Sequence, residues 1–396
     1  MKREADTLQL SGSGRWLVLA SVLGSRAVYT INWFSISPAL PFIAKDFGVD
    51  LPSLGVLTSS FLLGAGIFQV PAGVLASRWG PRNTSQLGML ILSLSGIGEG
   101  LSPSFTMLLL SRFLLGLGAA LFFSPAIGVL TPLFKHEEEG FVLGLYNAMF
   151  NVGGGLGLFA WAVLISSTSW RIGLVVGGAI GLVLVAIGLL VLPRDKPARR
   201  TTGSMRHALR SRNVWLIALG VIGVWGGVFT TSQLLPKFLN DVHRIEVGQA
   251  GLIAALLMFA AIFGGPIGGR LSDKFRKRKV FILGPGYATA LGVAIIGTIS
   301  PAQLWLLIPV IGFMDAMVFS TMYASASQYP EVGKQYAPLA IGIMNSAHIL
   351  GSFGIPIAFG LLGYSTGWYF LGGLAAALLV LLFWLEEPFK ADSKIL

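Results

Sequence analysis

The chain has 396 residues, of which 54% are hydrophobic and 11% charged, with a mean hydropathy of +0.76; soluble domains carry about 25% charged residues, so lipid is the expected solvent. The 52 glycines suit helices that approach closely in a bilayer, and the absence of cysteine excludes disulfides, thiol catalysis and cysteine-type metal sites. The net charge of +11 would suit nucleic acid, but the placement of the basic residues excludes that partner and follows membrane topology instead.

A membrane-crossing helix needs about 20 mostly apolar residues. In chain order such windows lie at 16–41, 53–77, 84–103, 106–132, 140–166 and 170–193, then at 214–239, 248–271, 279–299, 303–328, 336–363 and 367–385. Between the two sets runs 194–213, which holds seven Lys or Arg and a single Asp. The expected fold is therefore an all-α membrane protein of twelve transmembrane helices. Residues 1–193 form one six-helix lobe, 194–213 a basic linker and 214–396 a second six-helix lobe. Of the 28 Lys and Arg, only Lys45, Arg171, Lys237 and Arg244 fall on one side, while Arg26 and Arg112 lie inside spans. All the others share the opposite side, which the positive-inside rule makes cytoplasmic. Both termini are then cytoplasmic and the location is the cell's inner membrane. The start, Met1 to Arg15, is polar and not a cleavable signal, and the apolar run from Trp16 onwards is too long for a signal's core and is expected to be retained.

The two halves repeat each other at offsets of 195 to 198 residues. Gly73, Ser77, Arg78, Gly80 and Arg82 correspond to Gly269, Asp273, Lys274, Arg276 and Arg278; Leu40-Pro41 corresponds to Leu235-Pro236; Gly144, Asn147 and Trp170 correspond to Gly342, Asn345 and Trp368. Internal duplication is a common plan of secondary transporters, with the solute site near the midplane between repeats. On these residues the chain resembles the major facilitator superfamily over essentially its whole length. The pattern Gly-x-x-x-Asp-Arg-x-Gly-x-Arg between spans 2 and 3, and again between spans 8 and 9, is that family's most specific mark. The first copy has Ser77 in place of Asp; the second has Lys274 for Arg and Arg276 for Gly. The family's span-4 pattern Arg-x-x-x-Gly-x-Gly stands as Arg112, Gly116 and Gly118. The resemblance implies two lobes rocking about a central cavity lined by spans 1, 4, 7 and 10. It also implies a latch of Arg78, Arg82, Asp273, Lys274 and Arg278 on the cytoplasmic side, where the plain alternative is topology set by positive charge.

Ionisable groups inside spans are costly in lipid and point to function. Here they are Arg26, Glu99, Arg112, Asp315 and His348. Arg26 and Asp315 lie near mid-depth of spans 1 and 10, so they are expected to face one aqueous pocket from opposite lobes. Arg26 shares a helical face with Tyr29, Thr30 and Trp33, a suitable seat for a carboxylate because guanidinium binds carboxylate through a planar fork. Asp315 shares a face with Phe319, Met322 and Tyr323 and is either a proton carrier or the partner of Arg26. A fixed salt bridge aligning the lobes is the structural alternative. Arg112 matches the family pattern associated with proton coupling, and Glu99 is placed to approach it across the span 3–4 hairpin. That pair is either a second proton site or a buried structural bridge. Asn147 and Asn151 on span 5, Asn345 and His348 on span 11, and Trp225 and Gln233 on span 7 are further candidates to bind solute. Interhelical hydrogen bonding is the alternative for each. The run Gly153-Gly154-Gly155 is read as close packing.

Within the family, organic-anion symporters place an Asp-Arg pair where Asn32 and Trp33 stand here, so Arg26 is displaced from it. The span 2 and span 8 arginines of nitrate carriers and the span 5 Gly-Pro of drug antiporters are both missing. The reading is a secondary transporter of a small organic anion, coupled to protons, with drug or metabolite efflux by proton antiport as the alternative. A non-transporting membrane sensor would show the same sequence. Clustered nucleophiles, bases or metal ligands are missing, as is a phosphate-binding loop, so neither an enzyme nor ATP drive is expected. The expected partners are the solute, protons or another coupling ion, and the bilayer. No cofactor or metal is expected, and the chain is expected to act as a monomer.

Overall fold

The computed structural model describes residues 12–194, 210–326, 328–329 and 332–390; most of the expected linker 194–213 and both chain ends lie outside the described residues. Lipid offers the backbone no hydrogen-bond partners, so long apolar segments satisfy their own amides as helices. The described residues accordingly form helices with no strand among them. They are α1 (Gly12–Phe34), α2 (Ile36–Phe47), α3 (Leu51–Trp79), α4 (Pro81–Gly100), α5 (Phe105–Leu130), α6 (His136–Ser167) and α7 (Trp170–Val191). The second half comprises α8 (Arg212–Gly220), α9 (Ile222–His243), α10 (Val247–Phe275), α11 (Arg278–Ile295), α12 (Pro301–Ala326), α13 (Gly333–Gly351) and α14 (Ile355–Leu379). Ten helical segments among the described residues are long and apolar enough to cross a membrane. The third expected span, α4, is diluted by Asn83, Thr84, Ser85, Gln86 and Glu99, and the eleventh is divided between α13 and the start of α14.

Three expected spans are interrupted. The first breaks at Ser35, between α1 and α2, and the seventh at Val221, between α8 and α9. The eleventh breaks at 352–354, and Gly363, at φ 71 and ψ 175, then turns the chain into the twelfth. Proline explains two of the breaks. Pro38 and Pro356 lack the amides that would bond the carbonyls of Phe34 and Ser352. The first and seventh spans also run longer than expected, to Phe47 and His243, with Pro41 and Pro236 accommodated inside them.

The helices sort into two bundles. In one, α4 packs on α5 and α7, α3 on α5, and α1 on α6 and α7. In the other, α12 packs on α10 and α11, while α14 packs on α9 and α11. The same polar tie recurs in both: Trp170 Nε1 donates to Asp46 Oδ2 at 2.7 Å, and Tyr364 Oη donates to Asp241 Oδ2 at 2.9 Å. Each tie joins the outer part of a bundle's first span to its last.

Between bundles the contacts gather at one end. Ser37 Oγ donates to the carbonyls of Ser232 and Gln233 at 2.9 and 2.7 Å, joining α2 to α9. An added Cβ at Gly55 would sit 2.4 Å from the Pro356 carbonyl, and one at Gly155 would sit 2.3 Å from the Phe259 ring. At the other end, a Cβ on Gly73, Gly140, Gly144 or Gly342 would meet nothing within 4 Å. The bundles are closed at the end of the 48–50 and 244–246 turns and parted at the end of the 78–82 and 273–278 loops.

Candidate functional site

Arg26 points inward from α1 and is 3% exposed. Its guanidinium lies 4.7 Å from the ring centroids of Tyr29 and Tyr146, 4.8 Å from Phe123 and 4.9 Å from Phe150. Aromatic faces are electronegative and stabilise a cation by about 0.5–2 kcal/mol each. No carboxylate lies within 4.0 Å of it among the described residues, and Nε and Nη1 are buried without a hydrogen-bond partner. A cage of rings therefore holds a positive charge that nothing neutralises.

The cage draws on three helices of one bundle. Tyr29 is one turn from Arg26 on α1, Phe123 comes from α5, and Tyr146 and Phe150 are one turn apart on α6. Tyr146 is fixed by donating its hydroxyl proton to the Phe123 carbonyl at 2.8 Å. Sequence reasoning missed Phe123, Tyr146 and Phe150. Aromatics inside apolar runs carry no pattern that separates a cage from ordinary core. The usable signal was helical phase, because Tyr146 and Phe150 share a face of span 5.

Asp315 reaches the centre from α12 in the other bundle. It borders a cavity of about 70 Å³ with Trp33, Phe34, Phe150, Asn151, Trp225, Val228, Phe229 and Ser232. That exceeds the about 10–15 Å³ that a single water needs. Asp315 Oδ1 is buried and unpartnered, and no ion pair joins it to Arg26. Phe150 connects the two charges: it stacks on the guanidinium and walls the cavity that Asp315 borders. Trp33 stands in a cluster with Tyr29, Phe34, Phe61, Phe150 and Phe229, and its Nε1 has no partner.

The remaining candidates occupy varied places. Asn151 and Trp225 line the cavity. His348 is buried between Trp225 and Phe319, at 5.0 and 5.6 Å between ring centroids, with Nδ1 unpartnered. Tyr323 donates to Asn345 Oδ1 at 3.4 Å, bridging α12 and α13. Asn147 is exposed on the face of α6 that carries Gly140 and Gly144, toward the parted end and away from the cavity lining. Gln233 is wholly buried, with both amide atoms unpartnered, and does not line the cavity although Ser232 beside it does.

Glu99 and Arg112 meet as expected across the α4–α5 hairpin, at 3.3 Å, with side-chain exposures of 1% and 0%. Arg112 also donates to the carbonyls of Asn32 and Trp33, which stand just before the break at Ser35. Asn32 in turn donates to the Gly177 carbonyl of α7 at 3.1 Å. The pair thus clamps the interrupted part of the first span, and Trp33 with it.

The basic loops bond within their own bundles. Arg78 is exposed, Arg82 donates to the Leu189 carbonyl at 2.8 Å, and Lys274 is exposed beside the Phe275 ring. Arg278, 3% exposed, donates to Ser272, Asp273 and Gln328, and Glu387 receives the backbone N–H groups of Arg278 and Lys279. None of these bonds crosses between bundles. Where the first copy of the motif has Gly80 at φ 96, the second has Arg276 at φ 51, a left-handed position for a residue with a Cβ.

The family model described as Major Facilitator Superfamily matches residues 22–337. A probable sulfoacetate transporter, SauU of Cupriavidus necator, is 25% identical over 373 residues, covering 86% of this chain and 85% of its own. A probable nitrate/nitrite antiporter, NarK1 of Thermus thermophilus, is 31% identical over 253 residues, 60% of this chain and 57% of its own. Among solved structures, a bacterial homologue of the human lysosomal transporter Spinster, inward-facing and unoccupied, matches with a TM-score of 0.76. It is 19% identical over 97% of this chain and 98% of its own, a likeness of fold alone.

Proposed function

The chain belongs to the Major Facilitator Superfamily, and on that premise we propose that it carries a small organic anion together with a proton by alternating access. One observation carries this reading: the buried, uncompensated guanidinium of Arg26. An unpaired charge at mid-depth is expensive unless a ligand completes it, and an anion is the ligand that does so. Tyr29 borders the seat itself, Trp33, Asn151 and Trp225 line the cavity beside it, Gln233, Tyr323, Asn345 and His348 lie further out, and Asn147 stands on the approach from the parted end. Asp315, alone on the facing bundle, carries the proton. Arg112 and Glu99 hold the broken first span in place. Relatives named for sulfoacetate and for nitrate or nitrite support an anion.

The lobes are residues 1–193 and 214–396, joined by 194–213. The parted end is cytoplasmic, as are both termini, because the basic loops lie there. Arg78, Arg82, Asp273, Lys274 and Arg278 engage across that end when it closes. The protein works as a monomer in the cell's inner membrane. Drug efflux is the second reading, favoured by the aromatic wall of Trp33, Phe34, Phe150, Trp225 and Phe229; a cationic drug, however, would meet the charge of Arg26.

Uptake of radiolabelled carboxylates and sulfonates into proteoliposomes, with and without a pH gradient, tests the proposal. Arg26→Ala abolishes uptake, and Asp315→Asn abolishes gradient-driven uptake while sparing solute exchange. Wild-type transport by Arg26→Ala refutes the anion seat, and intact gradient-driven uptake by Asp315→Asn refutes the proton role.

A further inference from the structure

The two segments that meet at the closed end carry one pattern, Ser-x-x-Leu-Pro, as Ser37 to Pro41 in α2 and Ser232 to Pro236 in α9. A proline inside a helix has no N–H to give the carbonyl four residues earlier. In both segments that carbonyl belongs to the serine. Ser37 and Ser232 are each 0% exposed, so the Ser232 carbonyl, stripped of its helical donor by Pro236, needs a donor from elsewhere. The donor comes from the other bundle. Ser37 Oγ gives its proton to the Ser232 carbonyl at 2.9 Å, shared with the Gln233 carbonyl at 2.7 Å. The Ser232 hydroxyl stays in its own helix and donates to the Phe229 carbonyl at 2.6 Å, so only one of the two repeated hydroxyls crosses. Four residues before Ser37, Trp33 meets Phe229 across the same junction, at 6.2 Å between ring centroids, and both rings wall the central cavity with Ser232.

We propose that the Ser37 hydroxyl is the latch of the closed end. A helical carbonyl that keeps its amide gains little from a second donor, whereas a buried carbonyl without one costs free energy. Pro236 therefore makes dry closure conditional on Ser37. When this end opens, water enters and bonds both the carbonyl and the hydroxyl, so release costs little. The latch favours closure yet opens in every cycle. It rests on the alternating-access part of the reading above and is independent of the anion.

Distances between spin labels test the latch. Cysteines are placed at 45 and 246, exposed positions on opposite bundles at this end, and in a second protein at 78 and 274 across the parted end; the chain has no native cysteine. Ser37→Ala is expected to raise the fraction of molecules with a long 45–246 distance by about threefold to tenfold, the range that one net hydrogen bond supports. The 78–274 distance shortens in the same fraction. Pro236→Ala returns an amide to the Ser232 carbonyl, and in that background Ser37→Ala changes the fraction by less than about twofold. A serine that only fills space would lower the melting temperature and leave both distances alone. Gly155→Leu, which crowds the Phe259 ring and forces this end apart, supplies the open form for comparison. If Gly155→Leu shows the open form and Ser37→Ala matches wild type, the latch is overturned and alternating access stands. The same shift with and without Pro236, or a longer 45–246 distance with no change at 78–274, also overturns it. If Gly155→Leu too keeps the wild-type distance at each end, alternating access falls and the latch falls with it.

Discussion

Removing Arg112 tests whether the buried pair is a clamp. Arg112→Met strands Glu99, 1% exposed, without its counter-charge and withdraws donors from the Asn32 and Trp33 carbonyls. Breaking a buried ion pair from one side costs about 3–5 kcal/mol, and each buried acceptor left unmade costs about 1–3 kcal/mol. These terms overlap, because all of them follow from losing one guanidinium, so a loss of about 4–6 kcal/mol is expected. For a bundle of this size, a loss of that order lowers the melting temperature by about 10–20 °C. Glu99→Gln keeps an acceptor opposite Arg112 and is expected to cost about 1–2 kcal/mol. The double variant Arg112→Met/Glu99→Leu recovers part of the single loss, because no charge is left stranded. It does not recover all of it, because both carbonyls still lose their guanidinium donors. Thermal unfolding in detergent measures the order: wild type, Glu99→Gln, double variant, Arg112→Met. An Arg112→Met protein that melts within about 2 °C of wild type refutes the clamp. A Glu99→Gln protein whose uptake shifts in pH dependence would instead give this pair the proton, and take it from Asp315.

Three further outcomes follow from the geometry. Tyr146→Phe keeps the ring on Arg26 and loses only the bond to the Phe123 carbonyl, so it is expected to cost about 1 kcal/mol and retain uptake; Tyr146→Ala opens the cage at about 3–5 kcal/mol and loses uptake, as thermal shift and flux assays would report. Gly155→Leu would drive a side chain into Phe259 and spread the closed end; with spin labels on cysteines placed at the exposed positions 78 and 274, in a chain that has no native cysteine, the distance across the parted end shortens, and an unchanged distance counts against the closed-end contacts. Arg276→Gly relieves the φ 51 backbone and is expected to stabilise the chain by about 0.5–1 kcal/mol, visible as a higher melting temperature.

Much of the architecture was legible because lipid makes the rules strict. Apolar windows of about 20 residues can only be helices, and the repeat from Gly73 to Gly269 divides the chain into two like halves. Arg26, Asp315, Glu99 and Arg112 stood out because charge inside a span is rare. What escaped was whatever lacks a polar signature. Phe123, Tyr146 and Phe150 form three walls of the Arg26 cage, yet each reads as one more apolar residue. Asn147 looked more informative than Tyr146 beside it, and helical phase sends the two side chains to different faces: Tyr146 inward onto the guanidinium, Asn147 outward to the parted end. The break at Ser35 was also hidden, because Pro38 announces it three residues late. The Asn32 and Trp33 carbonyls just before it receive an arginine from about eighty residues away.

The two kinds of interaction in this chain differ in strength in a way that suits rocking lobes. Within the first bundle, buried charge and carbonyl bonds at Arg112, the Trp170–Asp46 tie and the Asn32–Gly177 bond are costly to break. Between bundles, the closed end rests on two bonds from one hydroxyl, Ser37, and on close approach of glycines such as Gly55 and Gly155. The bundles can therefore part at that end without either one loosening. On the proposed reading, the unmatched charges, Arg26 on one bundle and Asp315 on the other, are where a solute and a proton act on which end is open. On that reading, an anion on Arg26 supplies the counter-charge that the buried guanidinium lacks, so the loaded centre is sealed at lower cost than the empty one. The coupling of solute to movement proposed here needs no relay through the helices, because the two charges stand on opposite bundles.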